Sequence, residues 1–208
     1  MTKIQNLIYN CEMNTEYEVK FLNIDQDQIR RVLTASGAKI KSPMQLMRRV
    51  IIDTPESIKK NAFIRIRDEG DSVTLTYKQF DSASIEGAKE HETTVGDFTK
   101  TVDIFSAAGL DYRSYQESKR EEWLLDGVEI VIDEWPWLDC YIEIEGQSAI
   151  GVQRVAEKLG FDLSEGVYGD VMSAYRVQYP HLDEHDTIGS LREVKFDTPL
   201  PEMFQHVK

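Results

Sequence analysis

Glu16, Glu18 and Lys20 alternate with Tyr17, Val19 and Phe21 in the stretch TEYEVKFLNI. Side chains on a strand alternate between its two faces, so one face here carries two carboxylates and an ammonium group and the other is apolar. Later segments repeat the device with cations. Arg65 and Arg67 alternate with Ile64 and Ile66, and Thr74, Thr76 and Lys78 alternate with Val73, Leu75 and Tyr77. Glu143 and Glu145 then sit among Tyr141, Ile142 and Ile144. If these strands share one sheet that curls, carboxylates and guanidinium groups converge on a common interior. Such an interior is costly unless it holds metal ions and a polyanion.

The chemistry needs these residue types. Mg²⁺ and Mn²⁺ prefer oxygen ligands and are held by one or two carboxylates together with water and substrate phosphates. Residues two apart on a strand lie roughly 6.6 Å apart along it, so Glu16 and Glu18 can flank one ion or serve two. Planar guanidinium groups grip phosphate oxygens bidentately, and lysine acts as a point charge. Each signal alone also has a plain reading, a solvated strand face. Arg65 and Arg67 can likewise be surface partners of Glu90 and Glu92. It is their succession along one chain that favours a site. Glu90 itself reads as solvated, and Trp135-Pro136-Trp137 as a turn with rim packing. His91, His181, His185 and His206 form no HxH or HxxxH spacing, and no serine or cysteine nucleophile motif is present.

The elements that must position these groups follow from local signals. Asp25 caps a helix through IRRVLTAS that Gly37 ends, and Asp97 caps another that Gly109 ends. A strand through AKIKSPMQLMRRVIIDT is expected to be interrupted near Pro43. Glu69-Gly70-Asp71 and Asp126-Gly127 mark two hairpins. KEHETTV and LDCYIEIEG read as further strands, and SAIGVQRVAEKLG and DVMSAYRVQY as helices. The tail from Pro180 to Lys208 gives no clear pattern. Strands, hairpins and outlying helices together suit an α+β domain with an antiparallel sheet.

Composition narrows the class. The 208 residues fit one large domain, and 41% hydrophobic content is enough for a packed core. A net charge of −13 argues against a nucleic-acid partner but not against a small polyanion in a basic cleft. Cys11 and Cys140 have neither a zinc-site spacing nor the density of a disulfide framework. The N-terminus lacks the pattern of a signal peptide, and no apolar run reaches membrane-spanning length. A cytoplasmic protein without a membrane partner is expected.

Taken together, ExExK at Glu16-Glu18-Lys20, then FIRIRDEGDSVTLTYK, KREEWLLDGVEIVID and YIEIEG closely resemble the CYTH domain, or triphosphate tunnel metalloenzymes. That family includes class IV adenylyl cyclases, thiamine triphosphatases and inorganic triphosphatases. The resemblance implies a closed eight-stranded antiparallel β-barrel with helices packed outside and the active site within. It implies a barrel domain over residues 16–179, an N-terminal extension over 1–15 and a C-terminal tail over 180–208. It assigns Glu16, Glu18, Glu143 and Glu145 to Mg²⁺ or Mn²⁺, and Arg65, Arg67, Lys78 and Arg120 to the phosphates. Asp133 and Glu92 match further acidic positions. Lys20 is a candidate for orienting or deprotonating the attacking water, because burial among cations lowers a lysine's pKa. Members often have a basic residue where this chain has Ser118, so a cation is expected to be missing at one end of the site, and Lys119 to point outward. The implied reaction is hydrolysis of inorganic triphosphate or a small organic triphosphate. Conversion of ATP to cyclic AMP and pyrophosphate, or triphosphate binding without turnover, are the alternatives. The oligomeric state is open, a homodimer included.

Overall fold

Period-two alternation dominates the chain, and in the computed structural model, which describes residues 13–205, it builds a barrel. The barrel strands are β1 (Asn14–Phe21), β2 (Lys39–Ile52), β3 (Ala62–Asp68), β4 (Val73–Phe80), β5 (Ala88–Val95), β6 (Ser114–Leu125), β7 (Val128–Trp135) and β8 (Leu138–Gly146). They lie antiparallel in the order β2-β3-β4-β5-β1-β8-β7-β6, and pairing of β2 with β6 closes the ring. The expected eight-stranded closed barrel is the observed fold. Closure removes exposed sheet edges and gives every strand an inner and an outer face.

The outer faces hold the apolar core. Val19 and Phe21 of β1 turn away from Glu18 and Lys20 and join Ile130, Ile132, Ile142 and Ile144. Helices α1 (Gln26–Ala35) and α4 (Ala149–Lys158) cover them with Ile29, Leu33, Val152 and Val155. Helix α3 (Phe98–Ala107) covers Val50, Ile52 and Ile66 on the opposite wall. Each such side chain contributes roughly 1.5–3 kcal/mol through burial. The polar groups inside the barrel are therefore held by a framework whose cohesion lies outside it.

Local chemistry sets the element ends much as expected. Asp25 Oδ1 accepts from the Gln28 amide at 2.7 Å, and Asp97 Oδ1 from the Lys100 amide at 2.7 Å. Asp126 and Gly127, at φ +53° and +81°, form the tight β6–β7 turn that needs two left-handed residues. The short helix α2 (Pro55–Lys59) begins at a Thr54–Ser57 capping box.

Two regions differ from expectation. Pro43 does not interrupt its strand; β2 runs through it, and the pairing with β6 shifts register between Ile40 and Ser42 and again between Ser42 and Gln45. A bulge tolerates a residue without an N–H. The tail, illegible in the sequence, packs tightly. Its strand β9 (Glu193–Val194) runs parallel to β6 at Tyr115 and Gln116, beyond the stretch of β6 from Lys119 to Leu125 that β7 occupies. Leu182, Ile188, Val194 and Phe204 then join Trp135, Tyr141 and helix α5 (Val171–Gln178) in a cluster at one end of the barrel. Of the expected N-terminal extension, residues 1–12 lie outside the described residues, as does Cys11; Cys140 is a free, half-buried thiol. Among the described residues no helix is long and apolar enough to cross a membrane.

Candidate metal and phosphate site

Pairing of β1 with β8 sets Lys20 opposite Glu143 and Glu18 opposite Glu145, all on the inner face. One oxygen each from Glu18, Glu143 and Glu145 lies within 4.8 Å of the others. Glu16, the fourth expected ligand, stands beside this trio. Its Oε2 meets Lys78 Nζ at 2.6 Å, yet is buried without a well-formed hydrogen bond. The crowding shows in the protons. Burial and the Glu16 charge push Glu145 up to about 8, and the same two causes push Glu90 up to about 7. Burial opposes ionisation of Glu143 too, but Lys20, Arg120 and Lys78 outweigh it and hold its carboxyl at about 2. Glu90 is thus not the solvated residue expected; it faces Glu16 at the rim of the interior. A cluster of hard oxygen donors with an unsatisfied buried oxygen beside it fits a divalent cation.

The expected cations line the same interior. Lys78 pairs with Glu16 and, at 3.1 Å, with Glu18. Arg65, 7% exposed, donates to Thr76 Oγ1 at 3.2 Å and reaches Glu92 at 3.3 Å, while its Nε is buried without a partner. The surface-pair reading of Arg65 therefore fails, although its Glu92 contact exists. Arg67 donates from Nε to Glu69 at 2.6 Å. Arg120 grips Asp133 with both prongs of its fork, at 2.8 and 2.6 Å, and Tyr141 donates its hydroxyl to the same carboxylate at 3.2 Å. Asp133 is 1% exposed, so the Arg120 fork is fixed from behind.

Lys20 corrects one expectation. Its closest charges are carboxylates, Glu143 at 2.7 Å and Glu18 at 3.0 Å, and it also donates to the Gly169 carbonyl at 2.7 Å. Burial would lower its pKa, but Glu143 and Glu18 outweigh burial and raise it. These neighbours favour the ammonium form of Lys20, opposite to the lowered pKa expected from burial among cations.

Two cavities meet at the centre. A cavity of about 350 Å³ is lined by Glu16, Arg67, Glu90, Glu92 and Glu145. A narrower one of about 90 Å³ is lined by Arg49, Gln116, Trp135 and Tyr141, and continues past Phe63, Phe80 and Arg113 into a third of about 540 Å³. Arg65, Lys78, Arg120 and Glu143 border the first two. Ser118 faces inward, buried and small, while Lys119 points outward as expected, to Glu134 at 3.1 Å and over the Phe196 ring. Arg49 was not foreseen. Its signal is the phase of β2: Val50 and Ile52 face the outer core, so Arg49 and Ile51 face in. The unbroken run Val50-Ile51-Ile52 hides that phase.

The model of the CYTH domain family matches residues 14–168. No curated protein sequence matches the chain. Among solved structures, a conserved hypothetical protein from Pyrococcus furiosus is 22% identical with a TM-score of 0.64, over 77% of this chain and 99% of its own. A Vibrio parahaemolyticus protein provisionally described as an adenylate cyclase is 9% identical at 0.67, over 79% and 99%. A Hippeastrum protein described as revealing a dominant triphosphatase activity is 16% identical at 0.52, over 80% and 96%. At these identities the likeness is one of fold.

Proposed function

The chain belongs to the CYTH domain family, and on that premise we propose that it is a divalent-metal-dependent triphosphatase acting on inorganic triphosphate or a small organic triphosphate. Water attacks the terminal phosphorus, the bridging P–O bond breaks, the attacked phosphoryl group becomes orthophosphate, and the remaining diphosphate is the leaving group. The observation that carries this reading is the meeting of the Glu18–Glu143–Glu145 oxygens with Arg65, Lys78 and Arg120 in one interior. The triphosphatase activity named for the Hippeastrum protein, on the same fold, agrees with it.

Glu18, Glu143 and Glu145 would hold the metal, with Glu16 adjoining. A bound Mg²⁺ or Mn²⁺ supplies charge neutralisation and polarisation of phosphoryl oxygens. Arg65, Arg67, Lys78 and Arg120 bind the phosphate oxygens, and Asp133 keeps the Arg120 fork in one orientation. Lys20 orients Glu18 and Glu143. Phosphoryl transfer asks mainly for positioning and charge stabilisation, so this cage suffices without a dedicated base.

Cyclisation of ATP additionally needs a base and ribose held so that the 3′-hydroxyl lies in line with the α-phosphorus. The aromatic rings that border the interior, Phe63, Phe80, Trp135 and Tyr141, line the narrow cavity, and the carboxylate-lined one beside the metal cluster has none among the described residues to stack on adenine. Chromatography of an ATP reaction with Mn²⁺ tests the choice. ADP and orthophosphate are expected; cyclic AMP and pyrophosphate as main products would overturn it.

A further inference from the structure

The interior cations differ in what they already hold. Lys20, Lys78, Arg65, Arg67 and Arg120 each lie against at least one carboxylate. Arg49 does not: among the described residues no carboxylate lies within ion-pair reach of it. Its Nε donates to the neutral Gln116 Oε1 at 2.9 Å, and its guanidinium carbon sits 4.3 Å from the centre of the Trp135 ring. Register places it opposite Arg67 on one side and Gln116 on the other. Burial, then Arg65 and Arg67, push its pKa down to about 9. Arg49 is half-buried, and a guanidinium kept among like charges with donors to spare toward the cavity is set to take an anion there.

Trp135 is an independent sign. It is 5% exposed, lines the same narrow cavity, and its indole Nε1 has no hydrogen-bond partner. Buried indole N–H groups normally find an acceptor. At about 90 Å³ the cavity is small beside the roughly 300–1,000 Å³ of pockets that take drug-sized ligands. Met172 of α5 and Ile188 of the tail also line it.

We propose that Arg49, Gln116 and Trp135 form a narrow oxyanion subsite that receives the terminal phosphoryl group of the substrate. The inference rests on the triphosphatase reading and adds a direction to it. The phosphate chain enters end first from the carboxylate-lined 350 Å³ cavity, and any organic substituent stays there. The subsite also supplies, from β2, a cation at the level where β6 offers only Ser118 and Gln116, since Met47 and Arg49 pair with those two residues.

The test is calorimetric titration, with Mg²⁺, of a methylene-bridged, non-hydrolysable analogue of inorganic triphosphate. Arg49→Gln should weaken binding about tenfold or more, the scale of a hydrogen bond to a charged group. Its ligand-free melting temperature should be unchanged or higher, because a repelled charge has gone. Arg49→Lys should bind between wild type and Arg49→Gln, and Trp135→Phe should weaken binding while keeping the ring. Unchanged affinity in Arg49→Gln, beside a wild type that binds, would overturn the subsite alone; a wild type that does not bind would overturn the triphosphatase reading with it. Should Arg49→Gln prove unstable, Arg49→Lys decides, and wild-type affinity in a folded Arg49→Lys together with wild-type affinity in Trp135→Phe would end the proposal. Phenyl esters on both terminal phosphates of the analogue should abolish binding while a single ester is accepted, and acceptance of the doubly esterified analogue would contradict the end-first entry.

Discussion

Glu18 and Glu145 face each other across two strands, yet the interior treats them oppositely. Glu18 is 3% exposed and carries Lys20 at 3.0 Å and Lys78 at 3.1 Å. Glu145 makes no ion pair among the described residues and is repelled by Glu16. Removing charge from both should therefore weaken metal binding with opposite effects on the metal-free fold. Glu18→Gln should lower stability by about 3–5 kcal/mol, the cost of breaking a buried pair from one side. Glu145→Gln should leave metal-free stability unchanged or raise it at pH 8. Melting curves with and without Mg²⁺ check both, and a metal-induced shift as large as wild type in each variant would remove these residues from the metal site. Most of this chemistry was legible, because alternation along one strand tells which side chains share a face. Arg49 was not, because a bulged strand entering three consecutive apolar residues loses its phase. Nor was the Lys20 ammonium, whose closest carboxylate, Glu143, comes from a strand more than a hundred residues away in sequence.

At the level of elements, hairpins and helix caps could be read because each is settled within a few residues. The tail could not, since its pieces are two- and three-residue segments stabilised only by distant contacts. Phe204 is the clearest case. It is 2% exposed, and its ring lies 4.8 Å from Tyr179, 5.2 Å from Tyr175 and 5.7 Å from Trp137. Trp137, held at φ +64° in the β7–β8 turn, also donates from Nε1 to the Thr198 carbonyl at 3.1 Å. The tail and α5 thereby fix the end of the barrel that contains Trp135. Phe204→Ala should cost about 3–5 kcal/mol in chemical unfolding, as for other large-to-small core changes. A loss under about 1 kcal/mol, the usual scale for surface positions, would show that the tail is an accessory to the barrel.

For the whole molecule, the charged interior makes stability depend on pH and metal together. Glu145, raised from 4.5 to about 8, and Glu90, raised from 4.5 to about 7, bind more protons folded than unfolded. Their contribution is fully present below pH 4.5 and is lost as pH rises through about 7 and 8. Glu143, lowered from 4.5 to about 2, acts the other way, and its contribution is lost as pH falls through about 2. Metal-free protein should therefore lose stability between pH 4.5 and about 8, and Mg²⁺ should restore it most at the upper end, where it replaces protons. A metal-free stability that climbs steadily to pH 8 would contradict the crowded-carboxylate interior. The central claim, metal-dependent hydrolysis of a triphosphate inside the barrel, is tested most directly by orthophosphate release from inorganic triphosphate with Mg²⁺ or Mn²⁺. Release that stops on chelation and fails in Glu145→Gln is the expected result, with inorganic triphosphate turned over at least as well as ATP. Tight binding of triphosphate with no orthophosphate released under either metal would contradict it.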